Sequence, residues 1–355
     1  MDVDTYKVAV VNKYTSNAGD ITIAELPRQH PTDTQVEITV HAAALNPLDF
    51  KRAEGMLAIV LPEAFPLKLG YDVAGTVSRV GKSVMRFKAG DRVYGRVEQR
   101  CVGTVAELAW VDESSLAAIP EAVPFTVAAG VGLAGLTAKQ ALENAGLEKG
   151  QTVFVTGGLG GVGMFAVMLA KHHFGAGEII TTVSTSKAER ARELGATRVV
   201  DYTQERDYAR QLENTADVGL DTIGDSSIAR VVKPQGSVVS VAMLPNGREL
   251  DKFRDPSARM SAWGAFKLGV AKRVVDVVGW FLTRPFRAKE IRYRPLKMHP
   301  DGRDLEQTFN PLLADGRMKP AIANIYAFTI EGVQKAFTEA VGGHAAGKII
   351  ICVKD

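Results

Sequence analysis

The chain has only two cysteines, Cys101 and Cys352, among 355 residues. Two thiols exclude a cysteine-rich disulfide framework and any four-cysteine zinc site, and they suit a reducing compartment. No uncharged apolar run of about twenty residues is present to span a bilayer. The opening MDVDTYKVAVV has no basic start leading into a long apolar core, so neither a secretory signal nor a mitochondrial presequence is read there. A cytoplasmic location is the expectation. Charge of one sign is missing as well: a formal net charge of +3 is too small to argue for nucleic acid. Internal repeats and low-complexity segments are absent. What remains is a folded composition, 46% hydrophobic and 23% charged, long enough for two domains with a core each.

The most informative stretch is VFVTGGLGGVG, Val153 to Gly163. A β-branched run enters a glycine cluster, and an apolar, helix-compatible segment follows from Met164 to Lys171. Gly158, Gly160 and Gly163 fit G-x-G-x-x-G, while Gly157, Gly160 and Gly163 fit an overlapping pattern. Either register predicts a tight strand-to-helix turn whose missing side chains admit a pyrophosphate to the backbone. Gly157, Gly158, Gly160, Gly161, Val162 and Gly163 are therefore cofactor candidates. The next β-rich run, Glu178 to Val183, completes a βαβ unit of the size a dinucleotide site needs.

Residues 1 to about 125 read as β-rich, with candidate strands at Val8–Val11, Val36–Val40, Val73–Val80 and Val93–Val97. An Ala- and Leu-rich stretch from Phe125 to Gly146 suits helices. Strands are then expected at Glu178–Val183, Arg198–Asp201, Val218–Asp221 and Ser237–Ala242, with helices between them such as Lys187–Leu194. That alternation argues for an α/β fold with a parallel, doubly wound sheet, and Ile291–Met298 can supply its sixth strand. Near the end, Leu305–Leu313 and Ile330–Val341 look helical. Lys348–Val353 looks like a last strand able to return to the N-terminal β region.

Several segments, in order, match one family: ALNPLDFKRAEG (Ala44–Gly55), LGYDVAGTVSRVG (Leu69–Gly81), FKAGDRVYG (Phe87–Gly95), GLAGLTA (Gly132–Ala138), the glycine loop and HAAGKIII (His344–Ile351). Together they resemble the medium-chain dehydrogenase/reductase superfamily, above all its zinc-free quinone oxidoreductase and enone reductase branch. The run IRYRPLKMHPDGRDLEQ also resembles members related to the reticulon-4-interacting oxidoreductase. The resemblance implies a discontinuous GroES-like catalytic domain (1–125 and 300–355) and a Rossmann NADP-binding domain (126–299). It also implies a homodimer.

Zinc-dependent relatives hold catalytic zinc with a cysteine, the histidine of a GHE segment and a later cysteine. Here the first segment offers Asn46 and the second reads Gly70-Tyr71-Asp72. An amide and a phenol are poor substitutes for thiolate and imidazole, and the six histidines are scattered, so no metal is expected.

NAD-specific Rossmann proteins place an acid after the second strand. Here that position reads Val183-Ser184-Thr185-Ser186-Lys187, with no acid until Glu189. Hydroxyls and an ammonium suit a 2′-phosphate, so NADPH is expected, with Ser184, Ser186 and Lys187 as its contacts. An ordinary helix start with a solvated lysine accounts for the same residues. Tyr202 matches the family's further adenosine-phosphate contact. Thr137 resembles a residue near the nicotinamide, and Lys348 a position near the cofactor.

At the reacting centre the resemblance points to Asn46, Lys51 and Tyr71. Lys51 matches the lysine of an NPxDxKR motif placed to contact a substrate carbonyl, and Tyr71 takes the position of the lost zinc-ligand histidine. Each has a plainer reading: a turn at Asn46-Pro47 with Asp49 capping the helix, a solvated basic pair Lys51-Arg52, and a core-packed Tyr71 ring. The implied activity is hydride transfer from NADPH to a small-molecule quinone or the activated C=C bond of an α,β-unsaturated carbonyl. A trans-acting enoyl reductase of a polyketide pathway and an NADPH-binding structural or interaction protein are the alternatives.

Between Trp263 and Arg287, Trp263, Phe266, Val270, Val274, Val277, Val278 and Phe281 form an approximate helical stripe. The favoured reading is a helix covering the sheet or cleft. The other is an amphipathic surface meeting lipid or a hydrophobic substrate.

Overall fold

The computed structural model describes every residue except 1–3, 57, 59–61, 100–102, 243–261, 344 and 355, with backbone alone for 262–267. Cys101, His344 and the side chains of Trp263 and Phe266 thus lie outside the described residues. The chain folds into two compact units. One comprises Met1–Gly55, Ala64–Leu136 and Met298–Asp355, the other Met56–Glu63 and Thr137–Lys297.

The first unit opens with strands β1 (Thr5–Val11), β2 (Thr22–Pro27) and β3 (Gln35–Ala44), helix α1 (Pro47–Ala53), and strands β4 (Leu67–Lys68), β5 (Asp72–Val80), β6 (Arg92–Arg96), β7 (Leu108–Asp112) and β8 (Leu116–Ala118). Helix α2 (Gly132–Ala145) begins in this unit and passes into the second after Leu136. Val36, Ile38 and Val40 alternate along β3 and pack with Val73 and Val77 of β5 and Val93 of β6. Strands β3 and β5 run antiparallel and lie close: a Cβ on Gly75 would stand 2.1 Å from the Thr39 carbonyl oxygen.

The second unit carries β9 (Thr152–Val155), α3 (Gly161–Leu169), β10 (Glu178–Val183), α4 (Ala188–Leu194), β11 (Arg198–Asp201), β12 (Ala216–Asp221), β13 (Val232–Ser240), α5 (Ala262–Leu282), α6 (Arg284–Ala288) and β14 (Arg292–Pro295). Its sheet is parallel in the order β11-β10-β9-β12-β13-β14. Sequence runs outward in both directions from β9, so the switch point falls between β9 and β12, where such sheets take ligands at their carboxyl ends. Every residue of α3 from Gly163 to Leu169 is buried, as expected of a helix apolar all round.

The chain then returns to the first unit with β15 (Ile322–Ala327), α7 (Ile330–Gly342) and β16 (Lys348–Cys352). Ile350 and Ile351 of β16 pair antiparallel with Ala44 and Ala43 of β3, which makes this unit discontinuous. Val333, Ala336 and Phe337 of α7 pack on Ile349 and Ile351.

Two details differ from the sequence reading. Strand β13 starts five residues earlier than Ser237, because the Pro234–Gly236 stretch is a bulge rather than a turn; Gln235 sits at φ 62° and the register with β12 shifts there. The stripe on α5 does not cover the sheet. Leu268 is the buried anchor, while Val270, Val274, Val277, Val278 and Phe281 lie on the opposite side of the helix and are exposed.

Candidate active site

In the second unit the loop after β9 is shaped by what its glycines leave out. Gly157 has φ 65°, a left-handed backbone that disfavours a side chain. A Cβ on Gly158 would lie 2.1 Å from Thr181 Oγ1, and one on Gly163 2.1 Å from the Gly157 carbonyl oxygen, so both close approaches require glycine. The loop is tied to β10 by Gly157 N–H donating to Thr182 Oγ1 (3.0 Å) and Gly158 N–H to the Thr182 carbonyl (3.1 Å). Gly160, the N-cap of α3, is exposed and, being glycine, brings no side chain to cap the helix. The first-turn amides of Gly161, Val162 and Gly163 therefore have no side-chain acceptor from the N-cap residue. Small residues, close backbone and uncapped N–H groups fit a pyrophosphate.

Asp221, at the end of β12, holds the other rim. It is buried and receives N–H groups from Ile223 (3.1 Å), Gly224 (2.8 Å) and Asp225 (3.1 Å), with Thr156 Oγ1 at 3.2 Å and Ser240 Oγ at 2.8 Å. The carboxylate ties the β12 loop to β9 and β13 across the switch point. Sequence reading missed it; the signal was an acid ending an apolar strand and followed by Thr-Ile-Gly.

At the end of β10, Ser184 precedes the 3-10 turn Thr185–Lys187 without a cap hydrogen bond from its side chain. Ser186 is exposed and Lys187 half-buried. Pairing of β10 with β11 brings Tyr202 alongside, its N–H donating to the Val183 carbonyl (3.2 Å), with its side chain half exposed. The same pairing brings an acid that linear order hid. Asp201 pairs with Val183, and its carboxylate accepts from the hydroxyls of Thr185 and Thr203 (the latter 2.6 Å) and from Thr203 N–H (2.9 Å). Those hydrogen bonds, that of Thr185 foremost, hold the Asp201 carboxyl below its usual range. Thr137 is buried within α2.

In the first unit, Asn46, Asp49, Asp72 and Lys348 form one buried network. Asn46 Nδ2 donates to Asp72 Oδ2 (2.8 Å) and to the Ala44 carbonyl (3.3 Å), and its Oδ1 accepts from Lys348 Nζ (2.5 Å). Lys348 Nζ also reaches the Leu45 carbonyl (3.1 Å) and Asp72 Oδ2 (3.4 Å). Asp72 Oδ1 accepts from the Leu133 N–H in the first turn of α2 (2.6 Å), and a Cβ on Gly132 would stand 2.6 Å from that oxygen. Asp49 reaches back to the Asn46 N–H (2.8 Å) and accepts from Gly70 N–H (3.0 Å). Burial pushes the Asp49 carboxyl up to about 7, with the Asp72 charge adding to it. Burial also raises Asp72, against the pull of Lys348, Asn46 and the Leu133 amide.

Tyr71 is fully buried. The Arg52 and Arg96 guanidiniums stand 5.4 and 5.1 Å from its ring centroid. Its hydroxyl meets the Gln99 amide, which in the orientation satisfying both neighbours accepts from Arg52 Nε at 2.9 Å. Arg96, also buried, has no hydrogen-bond partner at Nε among the described residues, and desolvation lowers its pKa. Lys51 lies on α1, half-buried, without an ion pair or hydrogen bond among the described residues. The structure thus joins Asn46 to Lys348, which the sequence placed with the cofactor, and leaves Lys51 outside their network. Among the described residues no group of three or more His, Cys, Asp or Glu could hold a metal ion.

Family models agree with both units. Residues 32–121 match the alcohol dehydrogenase GroES-like domain and residues 161–269 the zinc-binding dehydrogenase domain. The 2-methylene-furan-3-one reductase of Solanum lycopersicum is 35% identical over 90% of this chain and 72% of its own. The NADPH-dependent alkenal/one oxidoreductase, chloroplastic, of Arabidopsis thaliana is 33% identical over the same shares. The solved quinone oxidoreductase of Coxiella burnetii superposes with a TM-score of 0.82 at 25% identity, covering 99% of this chain and 100% of that one. On this sequence likeness and shared architecture, the chain belongs to the medium-chain dehydrogenase/reductase superfamily, among its quinone and enone oxidoreductases, and is an oxidoreductase built around a nicotinamide cofactor.

Proposed function

We propose that the chain reduces a quinone or the activated C=C bond of an α,β-unsaturated carbonyl with NADPH and without zinc. The observation that carries this reading is the uncapped N-terminus of α3 above a glycine loop that close packing keeps free of side chains. Gly157, Gly158 and Gly160 to Gly163 would hold the pyrophosphate there, and Ser184, Ser186, Lys187 and Tyr202 the adenosine phosphate. Thr185 and Thr203 keep the Asp201 carboxylate in hydrogen bonds beside that region. The Arabidopsis relative carries NADPH and alkenal/one in its name, and the tomato relative reduces a methylene conjugated to a furanone, by its name. Both describe C=C bonds polarised by a carbonyl.

The bound nicotinamide supplies the hydride, so the protein's work is orientation and charge stabilisation. As hydride reaches the acceptor, negative charge gathers on the carbonyl oxygen. Lys51 on α1 is a cation without a partner among the described residues, suited to meet that oxygen. Asn46, Asp49, Asp72 and Lys348 act one step back: they fix the start of α1 and so the direction from which Lys51 approaches. Tyr71, between two guanidiniums, is the second hydrogen-bond donor to be tested. Asn46 and Tyr71 stand where zinc relatives have ligands, and each is bonded to neighbouring protein groups, which favours chemistry without a metal.

The test is NADPH oxidation by the purified chain across quinones, enones, alkenals and enoyl thioesters, with NADH in parallel and zinc measured by elemental analysis. Turnover of quinones or enones with NADPH supports the reading. Turnover restricted to carrier-bound thioesters would replace it with a trans-acting enoyl reductase. Tight NADPH binding with no turnover would indicate a binding protein, and one essential zinc per chain would overturn the mechanism.

A further inference from the structure

Two buried arginines stand over the Tyr71 ring, and they are not equivalent. Arg52 lies 5.4 Å from the ring centroid and is partnered: its Nε and Nη2 donate to the Gln99 amide oxygen at 2.9 and 3.2 Å. Arg96 lies 5.1 Å from the same centroid and is 8% exposed. It makes no hydrogen bond and no ion pair among the described residues. A guanidinium carries five N–H donors and does not give up its charge. Left unpaired in the interior, it is among the costliest groups a fold can hold.

Strand pairing shows why Arg96 is left over. On β6 it lies directly opposite Asp72 of β5, where a cross-strand ion pair is expected. Asp72 is engaged elsewhere: its Oδ1 accepts from the Leu133 N–H (2.6 Å) and its Oδ2 from Asn46 Nδ2 (2.8 Å), with Lys348 Nζ at 3.4 Å. Asp49, bound to the Asn46 and Gly70 amides, and Glu98 act on Arg96 only through space; neither comes within ion-pair distance of it. The position of Arg96 is fixed, because the next residue, Val97, donates its N–H to the Tyr71 carbonyl (2.8 Å) and clamps the end of β6 beside the ring. A held, charged fork without an acceptor of its own is the donor set that takes a carboxylate in two parallel N–H···O bonds.

We infer that Arg96 binds a carboxylate of the acceptor, so that the substrate is an anion: an enone or quinone carrying a carboxylate besides the carbonyl that is reduced. The inference rests on the reading of the chain as a reductase of such acceptors and adds their charge to it. Arg52, which shares the Tyr71 ring with Arg96, follows Lys51 on α1. The carboxylate is thus held at the ring, and the reacting carbonyl of the same molecule is left to Lys51. Specificity follows from the pairing: an acid supplies the counter-charge that Asp72 withholds, whereas a neutral acceptor leaves the guanidinium uncompensated.

Titration calorimetry of the full chain with NADP+ present, using levulinate and methyl levulinate, reads the site without turnover. Levulinate is expected to bind the native chain about tenfold or more tightly than its ester. Arg96→Met, which keeps much of the length and removes the charge, should abolish the difference, and Arg96→Lys, a point charge without the fork, should keep part of it. In turnover with NADPH, the ratio of kcat/KM for trans-β-acetylacrylate to that for its methyl ester should fall about ten- to a hundredfold in Arg96→Met, chiefly through KM. Urea unfolding should find Arg96→Met no less stable than the native chain, since a cation without a pair has none to lose. No preference for levulinate in the native chain would overturn the inference, as would a preference undiminished in Arg96→Met. An equal fall in kcat for acid and ester would also overturn it, placing Arg96 at the enolate oxygen. Levulinate binding through Arg96 with neither acceptor reduced would uphold the anion site and defeat the reductase reading; ester reduction without a levulinate preference would do the reverse.

Discussion

The glycine loop of the second unit and the Asn46 network of the first handle polar groups in opposite ways. The loop keeps donors unsatisfied: α3 begins without a side-chain cap, and its glycines strip away whatever would shield the amides. The network satisfies its groups internally: the Asn46 amide, the Lys348 ammonium and both carboxylates are joined to one another or to neighbouring backbone. On the proposed function, one region awaits a ligand and the other holds a helix still. Changes in the first should therefore alter binding with little loss of stability, and changes in the second should do the reverse.

The largest effect is expected at Lys348. Lys348→Met leaves the Asp72 carboxylate buried without its cation and should cost about 3–5 kcal/mol of stability. Adding Asp72→Asn, which keeps an oxygen for the Leu133 N–H, should recover part of that loss. Urea unfolding of the three variants measures it; a Lys348→Met chain of native stability but weak NADPH affinity would return Lys348 to the cofactor site.

Asp49 gives the next effect, through pH. Its folded pKa of about 7 lies above the ordinary 3.8. The folded chain thus binds more protons than the unfolded one between those values, and stability falls as pH rises through that window. The full contribution is up to about 4 kcal/mol. Asp49→Asn should flatten the slope. Urea midpoints at about pH 5 and about pH 8 test this, and equal slopes for both proteins would remove Asp49 as its source.

In the ligand-facing region, Lys187→Ala should weaken NADPH binding about ten- to a hundredfold, leave NADH nearly unchanged and spare stability. Equal losses for the two cofactors, by titration calorimetry, would dissolve the contrast between the regions. The smallest effect is expected at Lys51. A donor aimed at developing charge can be worth about 2.7–4 kcal/mol, but the half-exposed Lys51 is worth less, and Lys51→Met should slow single-turnover enone reduction about tenfold with NADPH affinity intact. An unchanged rate would shift the role to Tyr71, with Arg52 and Arg96 beside it.

Much of the architecture was legible because it rests on local order. The β9–α3 turn, the alternating strands from Glu178 to Asp221 and the returning strand at Lys348 are each written as apolar runs between glycines. Strands β2 and β15 were not legible. Both lie at sheet edges with half-exposed faces, and their sequences TIAELP and IANIYA lack a strong alternation. At the site, the glycine candidates could be named from spacing alone, whereas Arg96 was invisible: nothing in RVYGR announces that its last side chain will be buried beside Tyr71.

The sequence by itself determined where the chain must turn and which stretches must be buried, since backbone freedom at Gly157 and the unbroken apolar run of α3 are properties of adjacent residues. Tertiary structure alone decided the company that distant residues keep. Asp201 reaches the end of β10 only because two parallel strands pair, and Lys348 meets Asn46, 302 positions away, only because β16 closes against β3. Whether the α5 stripe faced the sheet or water was likewise beyond the sequence. An apolar period fixes that a helix has a greasy side, but only its anchoring at Leu268 fixes which way that side points.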